Sequence, residues 1–171
     1  MRGVAEMAHK ELVIAWLNDA HAMELGIAQV LERHAEEAKD HPHMHSGLQR
    51  HLEQTRRHAE LVKSCVERMG GETSGVKSGM ASVMGAVQGM TTKLAKDELI
   101  KNTLHDYGTE HFEIACYTSL IAAAEHLGDL ETVRVCQEIL RDDQAMADFL
   151  FQQIPPVTIE MLQMEHATAN R

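Results

Sequence analysis

Apolar residues recur along this chain every three or four positions in four long segments, which is the pattern of amphipathic α-helices. The predicted helices cover residues 10–39, 44–69, 97–127 and 130–153. Pro42 ends the first segment and Gly70-Gly71 ends the second, because proline cannot continue a helical turn and glycine favours the conformation that stops one. Gly128 is the predicted stop of the third helix, and Asp129 is the predicted N-cap of the fourth.

The connections between these helices differ in length. The first and third connections are short, so each pair of helices is predicted to form an antiparallel hairpin, over residues 10–69 and 97–153. The second connection, residues 70–96, is long enough to cross the bundle. Two hairpins joined by one long crossover are typical of ferritin-like proteins. The predicted fold class is therefore all-α, a ferritin-like four-helix bundle that forms one domain over residues 1–171.

Two further helical patterns lie outside the four main helices. A short amphipathic helix is predicted within the crossover, over residues 76–90. Its repeating apolar residues are Met80, Val83, Met84, Val87 and Met90. The fourth helix is predicted to end at Pro155-Pro156. The tail, residues 154–171, is then predicted to form an additional short helix over 157–167 that packs on the bundle or on a partner subunit.

Three of the four apolar seams contain an acid where a hydrophobic residue is expected. Glu24 lies in the first seam, Glu110 in the third and Asp143 in the fourth. An ionised carboxylate that is buried alone costs several kcal/mol, so it must be paired, protonated or bound to a cation. Three such acids converging in one bundle predict a metal site.

Di-iron and di-manganese sites in helical bundles use a Glu from each of two helices and a Glu-x-x-His motif from each of the other two. Residues three or four apart share a helix face, so Glu113 joins Glu110 as a candidate. In the second helix, His58 occupies the histidine position, but Thr55 stands at the glutamate position. The fourth helix has Met146 in place of its histidine. The predicted site is rich in carboxylates, and it fits one metal or a loosely held pair as well as a standard di-iron centre.

The candidate metal ligands are Glu24, His58, Glu110, Glu113 and Asp143. Carboxylate oxygen with some imidazole suits Fe or Mn. Each candidate also has a structural interpretation. Glu24 can be buried with a hydrogen bond from Tyr107 or Tyr117, and His58 can be a core histidine that a carboxylate satisfies. Glu53 is predicted to lie on the solvated face of its helix.

Composition and charge exclude several classes of function. The net charge of −10 argues against a nucleic-acid binder, which needs a basic stripe. No apolar run approaches the length of a membrane span, and no signal peptide is recognisable. Three dispersed cysteines favour free thiols in a reducing cytosol. Since no Cys-x-x-Cys module is present, any redox turnover needs an external electron donor. The histidine-rich loop His41–His45 is a candidate for adventitious binding of Zn, Ni or Cu.

Three segments carry a family resemblance. Residues 109–143 read TEHFEIACYTSLIAAAEHLGDLETVRVCQEILRDD, residues 18–24 read NDAHAME, and residues 51–62 read HLEQTRRHAELV. They resemble the YciE/YciF family of bacterial ferritin-like proteins, with a similarity that spans residues 11–150. The chain departs from the family pattern at His21, where the family has Tyr, at Asp143, where it has Glu, and at Ala147, where it has an acid.

The resemblance implies a bundle of about five helices, usually an antiparallel homodimer, in a bacterial cytoplasmic protein linked with stress responses. Together with the acids of the seams, it predicts a stress-associated protein with a carboxylate-rich metal site that acts on peroxide or oxidises Fe(II). The alternative is a structural or interaction protein that keeps the bundle without metal or catalysis. Whether the protein is an enzyme stays open on the sequence, and iron storage would require a hollow cage.

Overall fold

A computed structural model describes residues 2–73 and 97–169 of the chain. Within these ranges the chain forms four helices and no strand: α1 (Arg2–Glu37), α2 (Pro42–Arg68), α3 (Glu98–Leu127) and α4 (Leu130–Ala169). The predicted all-α fold class is confirmed. The amphipathic helix predicted over residues 76–90 lies outside the described residues.

The first helix begins earlier than predicted, at Arg2. The predicted breaks between the first and second helices, after the second helix and between the third and fourth helices are confirmed. Pro42 lies in the first turn of α2. Backbone N–H groups have no intrahelical partner there, so the N–H that proline lacks costs no hydrogen bond. Gly70 and Gly128 follow α2 and α3 with φ angles of 81° and 71°, a left-handed conformation that costs glycine little. Asp129 caps α4, since the backbone N–H of Thr132 donates to its Oδ1 over 3.3 Å.

Side-chain contacts show that α1 and α3 run antiparallel. Glu24 in the middle of α1 contacts Tyr117 of α3. His34, further along α1, contacts Asp106, which comes earlier in α3. The two helices therefore present their central residues to each other along most of their length.

The contacts between α2 and α4 follow the same rule. Arg68 at the end of α2 pairs with Asp129 just before α4, whereas His58 contacts Asp142 further along. The end of α2 thus lies beside the end of α3, and Glu98 begins α3 at the opposite end of the bundle. The connection over residues 70–96 joins opposite ends, which confirms the predicted long crossover.

The C-terminal segment departs from the prediction in one respect. The prediction that the fourth helix ends at Pro155-Pro156 is wrong, because α4 continues through both prolines to Ala169. Proline fixes φ near the helical value and removes only its own N–H, which would have bonded the carbonyl four residues earlier. Those carbonyls belong to Phe151 and Gln152, two exposed residues, so water can satisfy them. The segment is helical as predicted, but it is the continuation of α4.

This last part of α4 packs on the bundle, which was one of the two predicted alternatives. Val157 is buried in the core, and Met161 packs against it. The Glu160 carboxylate lies 3.1 Å from Nδ1 of His41, in the turn between α1 and α2. These contacts hold the helix in place after the prolines.

The core runs along the predicted apolar seams. Its largest fully buried apolar side chains are Leu17, Leu31, Val62, Val66, Tyr117, Ile139 and Leu150. The three acids of those seams are buried among them. Within the described residues, no helix combines the length and the apolar character that crossing a membrane requires.

Candidate metal centre

Six ionisable side chains meet in the middle of the bundle, and every one is at most 1% exposed. They are Glu24 of α1, His51 and His58 of α2, Glu110 and Glu113 of α3, and Asp143 of α4. All five predicted metal ligands lie in this core cluster. Each helix contributes at least one of these groups, because helical periodicity places an acid or a histidine on the buried face of each helix.

His51, Glu110 and Asp143 form the tightest part of the cluster. Nε2 of His51 lies 3.1 Å from Oε1 of Glu110, an ion-pair distance, but the two atoms are not aligned for a hydrogen bond. One donor atom from each of the three residues lies within 4.8 Å of the other two. Three different helices therefore direct two carboxylates and one imidazole at a common point, an arrangement that can hold a metal ion.

His58 faces the other side of the cluster. Its Nδ1 lies 3.7 Å from Oε2 of Glu24 and 3.8 Å from Oδ1 of Asp143. Both distances exceed the range of hydrogen bonds. They suit donors that share a cation, because metal bonds of about 2.0–2.2 Å place neighbouring ligand atoms roughly 3 to 4 Å apart.

The buried polar atoms that lack hydrogen-bond partners are concentrated in the core cluster. Eight buried side-chain polar atoms in the described part of the chain have no hydrogen-bond partner. They are Oε2 of Glu24, Nε2 of His51, Nδ1 of His58, both carboxylate oxygens of Glu110, Oε2 of Glu113 and both carboxylate oxygens of Asp143. Buried polar atoms are nearly always hydrogen-bonded, so their concentration on these six residues fits a cation as the missing partner.

The two histidines are oriented by their outer nitrogens. Nδ1 of His51 lies 3.3 Å from Oε1 of Gln54, and Nε2 of His58 lies 3.0 Å from Oδ2 of Asp142. Metal-binding histidines typically engage their second nitrogen in this manner, which fixes the tautomer and aims the other nitrogen at the metal. Each inward nitrogen here is one of the unpartnered atoms.

Burial, reinforced by the neighbouring carboxyl groups, raises the pKa values of three acids of the cluster. Burial, together with the nearby Glu24 and Glu110, raises the pKa of Asp143 to about 9. Burial and the same neighbours raise the pKa of Glu113 well above its usual value. Burial also raises the pKa of Glu110, although His51 opposes the shift. Without a cation these acids must hold protons, and a cation would displace them.

Tyr117 touches the cluster directly. Its hydroxyl donates a hydrogen bond to Oε1 of Glu24. Burial and the Glu24 carboxylate raise the pKa of Tyr117 well above its usual value, so the phenol stays protonated and remains a donor. Of the two tyrosines that the sequence offered to Glu24, Tyr107 lies elsewhere, against His111 and Phe151.

Sequence analysis did not identify His51 as a candidate. The signal was present, since His51 lies two helical turns before His58 on one face of the helix. It was missed because the ferritin-type motif directs attention to Thr55, which the structure shows donating to the backbone carbonyl of His51. Asp142, the neighbour of Asp143, is 25% exposed and contacts His58.

Other candidates lie apart from the cluster. His21 is partly exposed, and Glu53 is exposed as predicted. The histidines of the His41–His45 loop diverge: His41 pairs with Glu160, His43 lies near Gln153, and His45 bonds a backbone carbonyl. Within the described residues, no side chain of this loop belongs to a group of three or more placed to share a metal ion.

Comparison with known proteins agrees with this architecture. A family model described as "Domain of unknown function (DUF892)" matches residues 8–163. A crystal structure of a Xanthomonas campestris protein superposes with a TM-score of 0.79 at 26% identity, covering 93% of this chain and 99% of that one.

Two further structures share the fold at lower identity. The E. coli stress protein YciF has a TM-score of 0.73 at 19% identity, over 88% of this chain and 96% of its own. The bacterioferritin of Desulfovibrio desulfuricans, described with a diiron site, has a TM-score of 0.69 at 23% identity, over 90% and 84%. The bundle is therefore ferritin-like, and the chain belongs to the DUF892 family, as the resemblance to YciE/YciF proteins predicted.

Proposed function

We propose that the core cluster binds one or two Fe or Mn ions and that the protein uses this site in a bacterial stress response. The observation that carries the proposal is the set of eight unpartnered buried polar atoms, which all belong to the six cluster residues. Four carboxylates and two imidazoles are the donor set that these hard to borderline cations favour. The diiron site named for the Desulfovibrio bacterioferritin supports the same class of metal.

Iron or manganese held there would supply redox chemistry towards peroxide or dioxygen, or oxidation of Fe(II). The chain's own residues determine the conditions for it. The ligands come from all four helices and are at most 1% exposed, so bulk water is excluded from the site. Tyr117 holds Glu24 in position, and the contact from His58 through Asp142 to Arg57 leads from the cluster to the surface. Any turnover needs an external electron donor.

The alternative is a structural or interaction protein without metal. Thr55 and Met146 stand where ferritin-type sites have ligands, which favours this interpretation. Under it, the acids of the cluster stay protonated, Tyr117 satisfies Glu24, and Glu110 pairs with His51. The two proposals differ in one observable, which is the bound metal.

Elemental analysis of the untagged protein, purified without chelators, tests the proposal. We expect Fe or Mn at one to two ions per chain, and near-complete loss of that metal in Glu110→Gln and Asp143→Asn. The control Glu53→Gln changes an exposed acid of α2 and should keep the metal. Metal-free wild-type protein that also fails to bind Fe(II) or Mn(II) would leave the structural role. Peroxide consumption and Fe(II) oxidation are then measured on the loaded protein.

Oligomeric state separates the remaining functions. The family resemblance leads us to propose a cytoplasmic homodimer, whereas iron storage requires many subunits around a cavity. Light scattering of the purified protein should give the mass of two chains of 19.1 kDa each. A particle of a dozen or more chains would favour storage instead.

A further inference from the structure

A second group of histidine and carboxylate side chains lies between α1 and α3, and the proposed function does not use it. It consists of His34 from α1 and of His105 and Asp106 from α3. His34 and Asp106 are each 3% exposed, and His105 is 16% exposed on the side facing solvent. This end cluster shares no residue with the core cluster. Along α1, His34 lies almost three turns or about 15 Å beyond Glu24, whereas along α3 Asp106 lies one turn before Glu110.

The two imidazoles converge on one carboxylate. Nδ1 of His34 lies 2.8 Å from Oδ1 and 3.0 Å from Oδ2 of Asp106. Nδ1 of His105 lies 3.1 Å from the same Oδ1. Tetrahedral coordination with bonds of about 2.0–2.1 Å separates neighbouring donor atoms by roughly 3.3 Å. The two distances to Oδ1 of Asp106 therefore need to lengthen by only a few tenths of an ångström, and one donor atom from each of the three residues lies within 4.8 Å of the other two.

From this geometry we propose that His34, His105 and Asp106 form a second metal site, which binds a borderline divalent cation of the Zn²⁺ or Co²⁺ type. Two imidazole nitrogens, one carboxylate oxygen and an open fourth position are a ligand set of catalytic zinc sites. The core cluster, with four carboxylates, favours harder cations. Three protein ligands leave the remaining position to water or a small ligand, and His105 is the residue through which solvent reaches the site.

Arg33 opposes metal binding at this site, which gives the proposal a distinctive signature. One of its guanidinium nitrogens lies 3.2 Å from Nε2 of His34. While Arg33 donates there, His34 carries its proton on Nδ1 and donates to Asp106, which is the metal-free form. A metal on Nδ1 requires the proton on Nε2, so Arg33 must turn away. It can do so because its side chain is 52% exposed.

A metal site and a purely structural ion pair would therefore respond differently to the substitution Arg33→Gln. If the three residues only stabilise the fold, Arg33→Gln has no reason to create metal affinity. If they bind metal, Arg33→Gln removes a competing hydrogen bond and a repelling charge, and affinity rises about three- to tenfold, the equivalent of one hydrogen bond. The loss of His105 removes a ligand and lowers the affinity by more than the ~10- to 100-fold that even an outer-shell partner costs.

Titration of the full-length metal-free protein with Co²⁺ provides the test, read by visible absorption. The measurement is made in the Glu110→Gln/Asp143→Asn background, which removes two acids of the core cluster, and the loss of absorption in His105→Gln assigns the signal to the end cluster. We expect stoichiometric absorption typical of four-coordinate Co²⁺ that Zn²⁺ abolishes, a loss in His105→Gln and tighter binding in Arg33→Gln. His126→Gln, an exposed histidine of α3, is the matched control. Circular dichroism verifies that each variant is folded.

Two results would overturn the proposal. One is an absence of Co²⁺ absorption in this background. The other is absorption that His105→Gln leaves unchanged or that His126→Gln removes, which would identify adventitious surface histidines as the ligands. Neither result bears on Fe or Mn in the core cluster, because the background lacks two of its acids. If the core cluster proves to bind no Fe or Mn, the Co²⁺ titration still tests the end cluster in the same way.

Discussion

Asp106 and Asp143 are two buried aspartates whose surroundings have opposite effects. Burial alone raises the pKa of either carboxyl. At Asp106 the hydrogen bonds from His105 and His34 outweigh burial, and its pKa is lowered. At Asp143 the neighbouring acids add to burial, and its pKa rises to about 9. Since burial raises the pKa of both carboxyls, the opposite outcomes come from the neighbours, which are histidines at Asp106 and mainly acids at Asp143.

The same difference in neighbours separates the two clusters as metal sites. The carboxyl oxygens of Asp106 both have histidine partners, so the end cluster is complete without a cation. Both carboxyl oxygens of Asp143 lack a hydrogen bond, so the core cluster is incomplete without one. We expect metal to be a requirement for full stability at the core and an optional ligand at the end cluster.

The largest test of this contrast is metal addition. A ligand at about 1,000 times its dissociation constant stabilises the native state by about 4.1 kcal/mol. Saturating Mn²⁺ or anaerobic Fe²⁺ should raise the free energy of unfolding of wild type by about that amount. Glu110→Gln should remove most of the gain, and Glu53→Gln should keep it. Equal gains in both variants, measured by chemical denaturation, would locate the metal outside the core cluster.

Next in size is the pH dependence of the metal-free protein. Asp143 has a pKa in the folded state above its unfolded value of about 3.8, so the unfolded chain loses its proton first as pH rises. Its contribution to stability is complete below about pH 4 and is lost as pH rises towards 9. One such group changes the free energy of unfolding by about 1.4 kcal/mol per pH unit, or about 2.7 kcal/mol between pH 6 and 8.

Glu110 and Glu113, whose pKa values are also raised, act in the same direction. Asp106 acts in the opposite direction, but its contribution is lost only below its usual pKa, outside this window. Denaturation curves at about pH 6 and 8 should therefore show a less stable metal-free protein at pH 8, with a shallower slope in Asp143→Asn. A flat profile in wild type would mean that the acids of the core cluster are not protonated.

A matched pair of substitutions tests the two aspartates directly. Asp106→Asn weakens two charge-assisted contacts to histidine and should destabilise the metal-free protein by about 1–3 kcal/mol. Asp143→Asn removes an acid that must take up a proton to fold at pH 8, so this substitution should be neutral or stabilising there. The measurement is the free energy of unfolding in the presence of a chelator. Destabilisation of similar size by both variants would contradict the difference in charge state.

The smallest expected effect concerns Tyr117. Tyr117→Phe deletes the hydrogen bond to Glu24 and leaves that buried oxygen without a partner, at a cost of about 1–2 kcal/mol. Tyr107→Phe is the control, because Tyr107 lies outside the core cluster against His111 and Phe151. Thermal melts of the chelated proteins suffice. Indistinguishable melting temperatures for the two variants would mean that Glu24 does not depend on the phenol.

Local features of the chain were predictable from its sequence. Pro42, Gly70 and Gly128 end or begin helices through their own backbone restrictions, so no distant contact is needed to anticipate them. The acids of the seams were found for the same reason, since helical periodicity alone assigns Glu24 and Asp143 to buried faces. Unequal loop lengths were enough to predict the two hairpins and the crossover.

Residue pairings between helices depended on the packed structure. Periodicity places both tyrosines near the core face of α3, but the alignment of α3 against α1 selects Tyr117 for Glu24. The same alignment brings His34 to Asp106 across 72 positions of the chain, and no local pattern signals that pair. His51 becomes part of the core cluster only because Glu110 lies opposite it.

The continuation of α4 through Pro155 and Pro156 has the same origin. Local propensity favours a break at two prolines, whereas the burial of Val157 and the contact of Glu160 with His41 stabilise the helix beyond them. Helix formation and the choice of the buried face depend on residues close together in the chain, so both can be predicted from the sequence. Which buried groups meet depends on the axial alignment of whole helices, which is a sum of many packing contacts between residues far apart in the chain.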